Sequence, residues 1–209
     1  MAPTHLQMPL LEHEPSETPV FTAANLLEAA RVRKGLPKIA VPPGCLLDFD
    51  GELLQHLADT GKAFEDPAWP CFHTRFYRWR AGSAEYGVVG GTIGAPFAVL
   101  VAEELFSLGC RALVSISSAG LVAERFAPPF FLLIDRALRD EGTSCHYLPP
   151  ARYAAADPAL IAAVHKRTDR LSVPVHTGPS WTTDAPFRET ESLIASRRRE
   201  GIVSVEMEA

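Results

Sequence analysis

The chain has 209 residues, 47% of them hydrophobic and 22% charged, and its 20 Lys and Arg against 25 Asp and Glu give a formal net charge of −5. That length suits one sizeable α/β core, and no apolar run reaches the roughly 18–20 residues that a membrane span needs. The acidic balance excludes a general nucleic-acid binder, which needs a basic face to displace counterions from phosphates, so a small-molecule ligand is expected.

Residues 1–20 mix four prolines with acidic and apolar side chains and follow neither the strand nor the helix period, so they read as an extended arm ahead of a single domain over 21–209. The run AANLLEAARVRKG predicts a helix ending at Gly35. GCLLDFDGELLQHLADTG predicts a strand at 45–48, a turn, and a helix from about 52. FHTRFYRW and AEYGVVGG predict a hairpin. GAPFAVLVAEELFSLG predicts a buried helix with Pro96 in its first turn, where the missing N–H is harmless, and a stop at Gly109.

RALVSIS and PFFLLIDRAL are continuously apolar, as in strands covered on both faces. DPALIAAVHKRTDRL predicts a helix capped by Asp157, VPVHTGPSW a strand, and DAPFRETESLIASRRREG a helix from Asp184 to Gly201 leading into IVSVEMEA. The alternation implies an α/β sheet with helices on both sides. Cys45, Cys71, Cys110 and Cys145 are far apart, with no metal-type spacing. They read as free buried thiols and, with no signal-peptide pattern after Met1, point to the cytoplasm.

Several stretches could carry chemistry. In GGTIGAPF, glycines between a strand and a helix let the backbone approach an anion, although the same residues suit a plain βα turn. In SISSAG, Ser118 at a strand end offers N–H and O–H donors, or forms an ST-turn. TGPSWTTDAPFRET sets Trp181 and Phe187 near Arg188 and Asp184, so that a flat base could stack while the guanidinium donates to its carbonyls; Asp184 also suits a helix cap and the aromatics a core. In VEMEA, a carboxylate can accept from vicinal sugar hydroxyls, but Glu206 and Glu208 share a strand face, so Met207 joins Glu208 at a sugar only if the strand ends or bends. Two residues on one strand do not flank a glycosidic bond, so a paired-carboxylate glycosidase is set aside.

In this order, GGTIGAPFAVLVAEELFSLGCRALVSISSAG, RDEGTSCHYLP, TGPSWTTDAPFRE and VEMEA resemble the nucleoside phosphorylase superfamily, most closely its uridine-phosphorylase-like branch, from about Val20 to Ala209. The resemblance implies a three-layer α/β/α fold around a mixed, partly barrel-like central sheet, assembled as a homodimer or a trimer of dimers. It implies cleavage of a ribonucleoside, with a pyrimidine favoured by Arg188, through attack of phosphate or water on the anomeric carbon. Inorganic phosphate is the possible co-substrate, and neither a cofactor nor a metal is expected.

By position, the resemblance makes Glu208 the residue that binds the ribose hydroxyls and Met207 the one against the sugar. Gly94, Ser117 and Ser118 fall at the phosphate turn, with Ser118 and Glu208 the catalytic candidates and Arg75 a candidate anion ligand. Arg188, Trp181 and Phe187 fall in the base segment, and Phe21 where a neighbouring subunit's site is completed.

The chain also departs from the family pattern. LDFDGEL, with Asp48 and Asp50, stands where a G-D-P-x-R turn is usual, Ser115 replaces an arginine, and Ser117 replaces a glycine. Each missing Arg–phosphate pair removes roughly 1.5–3 kcal/mol of charge-assisted hydrogen bonding, and carboxylates repel a dianion. Weak phosphate binding is therefore expected, leaving hydrolysis by water, or a non-catalytic nucleoside-binding relative, as alternatives. Family members continue beyond EMEA, so the domain is expected to be C-terminally incomplete.

Overall fold

The computed structural model describes residues 8–12, 14–168 and 170–209. Residues 1–7 and 13 of the expected arm, and Asp169 near the end of the expected helix after Asp157, lie outside them. The chain divides into two compact units, Thr18–Ser118 and Ala119–Ala209, the latter grouped with the described part of 1–17.

The first unit contains α1 (Ala23–Lys34), β1 (Gly44–Asp48), α2 (Glu52–Asp59), β2 (Ala63–Glu65), β3 (Phe76–Ala81), β4 (Ala84–Gly90), α3 (Ala95–Ser107) and β5 (Ala112–Ile116). Helix α1 starts where Thr22 accepts the Asn25 N–H and stops at Gly35, whose φ of 65° suits a residue without a Cβ. The sheet order is β2-β3-β4-β1-β5: β4, β1 and β5 run parallel, while β3 and β4 form the expected antiparallel hairpin. Leu47, Phe49, Phe76, Val89, Val101 and Leu105 are among its buried core, and the Trp69 and Phe76 rings stack at 4.9 Å. At Gly87 a Cβ would lie 2.5 Å from the Phe76 ring, so that close approach requires glycine.

Helix α3 buries Glu104 among apolar neighbours at 2% exposure, with one carboxylate oxygen lacking a hydrogen-bond partner among the described residues. Burial pushes its pKa up against the opposing effects of a hydrogen bond from Cys71 and the charge of Lys34, whose ammonium donates to the Pro70 and Cys71 carbonyls at 2.7 and 2.9 Å. A raised folded-state pKa means that the folded protein holds the proton longer than the unfolded chain. Stability is therefore lost as pH climbs from the unfolded value of 4.5 through the folded one. Glu104→Gln should accordingly raise the melting temperature relative to wild type at about pH 8, with the gain shrinking toward about pH 4.5. A variant less stable than wild type at both pH values would contradict this assignment.

The second unit contains β6 (Gly120–Leu121), β7 (Phe131–Asp140), β8 (Tyr153–Ala155), α4 (Pro158–Thr168), β9 (Val175–Thr183), α5 (Glu191–Arg199) and β10 (Ser204–Glu206). Its sheet order is β6-β10-β9-β7-β8, with β10, β9 and β7 parallel and the short edge strands antiparallel. Val122, Leu138, Trp181, Ile202 and Val205 form its core. Asp157 accepts the Ala159 N–H at 2.7 Å, as a residue capping α4 should.

The mixed α/β fold is the expected one, with two corrections. The strands form two five-stranded mixed sheets, and among the described residues neither closes into a barrel. The single helix expected over Asp184–Gly201 is split into a 3-10 turn, Pro186–Arg188, and α5. Glu189 is extended there, Thr190 caps the new helix by accepting the Leu193 N–H at 3.3 Å, and the Asp184 carboxylate instead takes the Gly142 N–H at 2.9 Å. Cys45, Cys71 and Cys110 are buried free thiols, as expected, whereas Cys145 is only half-buried.

Candidate functional site

In the first unit, three parallel strands bring their C-terminal ends to one edge, with Asp48 level with Gly90 on β4 and Ile116 on β5. Ligand-binding loops of α/β sheets gather at such an edge. The segment Gly91–Gly94 leaves β4 there, and Gly94, buried at φ 89° and ψ 141°, opens α3. Ser117 and Ser118 leave β5 at the same edge.

The two carboxylates of the first turn have separate tasks. Asp48 is 3% exposed, and its side chain accepts the Leu54 N–H at 2.7 Å in the first turn of α2, where the helix dipole favours a negative charge. Asp50 reaches Ser118 and accepts both its backbone N–H and, at 3.3 Å, its hydroxyl. The Ser117 hydroxyl donates to the Ser118 carbonyl at 2.8 Å. Arg75 directly precedes Phe76, which is paired with Val89, so the register puts it at this edge; its exposed guanidinium is 3.5 Å from the Glu65 carboxylate. Phe21, also in this unit, is 69% exposed.

In the second unit, β7, β9 and β10 likewise end together, with Asp140 level with Thr183 and Glu206 level with Thr182. Glu206 is 8% exposed. One of its oxygens accepts the Ser180 and Thr182 hydroxyls at 2.9 and 2.7 Å, and the other accepts the Glu208 and Ala209 backbone N–H groups, both at 2.7 Å. The strand ends at Glu206 because its side chain captures those two amides, and the chain bends at Met207. Met207 and Glu208 are therefore half-buried beyond the last strand residue, freed from strict alternation, and the Glu208 carboxylate accepts the Met207 N–H at 3.2 Å.

The base segment splits in two. Trp181 is 1% exposed, its indole N–H donating to Asp140 at 2.9 Å and the Arg197 guanidinium lying 5.4 Å from its ring, so it belongs to the core and not to a surface on which a base could stack. Phe187, at 99% exposure, and the exposed Arg188 sit together on the 3-10 turn. Sequence reasoning assigned no task to Glu206, Ser180 or Thr182. The available signal was the alternation in GPSWTT, which puts Ser180 and Thr182 on one face of β9.

Among the described residues no group of three or more His, Cys, Asp or Glu is placed to hold a metal, and no helix is long and apolar enough to cross a membrane. A family model described as the phosphorylase superfamily matches residues 44–209. A uridine phosphorylase of Salmonella typhimurium is 26% identical over 149 residues, covering 70% of this chain and 56% of that protein. A DeoD-type purine nucleoside phosphorylase of Colwellia psychrerythraea is 28% identical over 124 residues, covering 58% and 53%. The chain thus spans about half the length of these curated relatives.

Among solved structures, a uridine phosphorylase from Vibrio fischeri superimposes with a TM-score of 0.71 at 21% identity, covering 81% of this chain and 72% of that one. A purine nucleoside phosphorylase from Toxoplasma gondii in complex with immucillin-H gives 0.69 at 20%, covering 83% and 70%. At these identities the likeness is one of fold.

Proposed function

Because the chain belongs to the phosphorylase superfamily, matched over residues 44–209, we propose that it cleaves the N-glycosidic bond of a ribonucleoside, with Glu208 gripping the ribose hydroxyls and Met207 against the sugar. The observation that carries this reading is the Glu206 clamp. A buried carboxylate with four donors fixes the bend that takes Met207 and Glu208 out of strand alternation. A carboxylate so placed accepts from vicinal hydroxyls and stabilises the positive charge that develops on the sugar ring as the base departs.

For the base we propose a pyrimidine. Arg188 offers donors to the carbonyl oxygens of uracil, whereas adenine also requires an acceptor, and the exposed Phe187 ring beside it can cover the base. Trp181 stays in the core, where its indole N–H donates to Asp140 and its ring faces the Arg197 guanidinium. The relatives include both uridine and purine nucleoside phosphorylases, so the test compares the two classes. The proposed assembly is a homodimer or trimer of dimers in the cytoplasm, with Phe21 completing a neighbour's site.

Uridine, inosine and adenosine should be incubated with the protein and free base measured. Uridine is expected to be cleaved fastest, and Arg188→Ala to cost it about tenfold more than it costs the purines. Equal losses on all three would remove Arg188 from base selection, and no base released from any nucleoside would end the enzymatic reading.

A further inference from the structure

Asp50 takes both hydrogen-bond donors that Ser118 can present, its backbone N–H and its hydroxyl. A backbone N–H and a hydroxyl converging at the end of a parallel strand are donors that an oxyanion can also take. The aspartate is fixed there by its own backbone. The Phe49 N–H donates to the Ile116 carbonyl at 3.0 Å and ties the two strand ends together. Gly51, at φ 79° with its N–H on the Asp48 carbonyl at 3.0 Å, turns the chain immediately after Asp50. No guanidinium or ammonium pairs with Asp50 among the described residues, and position 115 on β5 holds a serine.

We propose that Asp50 is a built-in anion occupying the seat a phosphate would need at Ser118, so that this one carboxylate selects water over phosphate as the nucleophile. The proposal rests on the reading that the chain cleaves N-glycosidic bonds, and it names the co-substrate of that reaction. An incoming phosphate would have to displace a carboxylate from its donors while being repelled by its charge. Water is neutral and can donate to the same carboxylate. The step it implies is balanced: the water oxygen bonds to the anomeric carbon, the carbon–nitrogen bond breaks with its electron pair passing to the base, and one proton of water ends on the base, giving free ribose and free base.

The test titrates orthophosphate into wild type, Asp50→Asn, Asp50→Ala and Asp50→Ala/Ser118→Ala at constant ionic strength, followed by calorimetry and by phosphorus NMR line width. Asp50→Ala should bind phosphate at least about tenfold more tightly than wild type. Asp50→Asn, which keeps the shape and removes the charge, should fall between them and serves in place of the alanine variant if that one does not fold. Adding Ser118→Ala, which removes the hydroxyl and keeps the backbone N–H, should reduce the gain. Wild type binding phosphate as tightly as the Asp50 variants, or no gain in any of them, overturns the proposal. Because this readout needs no nucleoside, it fails independently of the glycosidic reading: absence of base release from every variant would defeat that reading and leave the phosphate result standing.

Discussion

Glu206→Ala is expected to destabilise the protein by about 2–5 kcal/mol, far more than a surface substitution does. The carboxylate is buried and accepts four hydrogen bonds. Two of the four donors have somewhere else to turn: the Ser180 hydroxyl lies 3.3 Å from the Ser204 carbonyl, and the Thr182 hydroxyl 3.0 Å from the Ala209 carbonyl. The Glu208 and Ala209 amides lose the acceptor that holds them at the bend, and a donor left unpaired away from water costs about 1–3 kcal/mol. Glu206→Gln should recover part of the loss, since its carbonyl can serve one pair of donors while its NH2 faces the other pair. Chemical denaturation measures both, and an alanine variant within about 0.5 kcal/mol of wild type would show that the clamp does not hold the bend.

Glu208→Ala should leave the protein more stable than Glu206→Ala does, yet reduce base release by about 100- to 1,000-fold, the scale on which removing one preorganised electrostatic group acts. In the proposed function the two glutamates, two residues apart, divide between them the tasks of shaping the site and acting in it. Glu206, 8% exposed, sets the backbone, and Glu208, half-buried, faces the sugar in the proposed function. A large stability loss with normal base release in Glu208→Ala, measured by parallel melts and product assays, would reverse the assignment.

Much of the fold was legible because it is written in local chemistry. Gly35 ends α1, Pro96 lies in the first turn of α3, and the apolar runs at 45–48 and 129–138 fall on β1 and β7. What escaped was set by length or by competition. Strands β2, β6 and β8 have two or three residues, too few to display a period. Asp184 looks like a helix cap in sequence, but Gly142, 42 residues away, takes its carboxylate, and Thr190 caps the helix that forms.

The site was legible by position more than by contact. Strand alternation put Glu206 and Glu208 on one face and showed that a bend was required, but not that Glu206 makes the bend by binding the next two amides that follow Met207. The pairing of Asp50 with Ser118 spans 68 residues and leaves no mark in either local stretch. Repulsion of an anion by Asp48 and Asp50 followed from charge alone. That one of them is engaged at α2 while the other fills the strand-end donors needed the structure. The Trp181 side chain was ambiguous between base platform and core, and its burial against Arg197 and Asp140 decides where it lies.

The central claim, that Glu208 is the group that holds the ribose, is tested most directly by measuring uridine and 2′,3′-dideoxyuridine binding to wild type and to Glu208→Ala by calorimetry as a double-mutant cycle. Hydrogen bonds to a charged acceptor contribute about 1.5–3 kcal/mol each, so removing the two hydroxyls should weaken wild-type binding by at least about tenfold. In Glu208→Ala the two ligands should bind with nearly equal affinity. If the variant still discriminates between them as wild type does, the hydroxyls are recognised elsewhere and the account of the chain end is wrong.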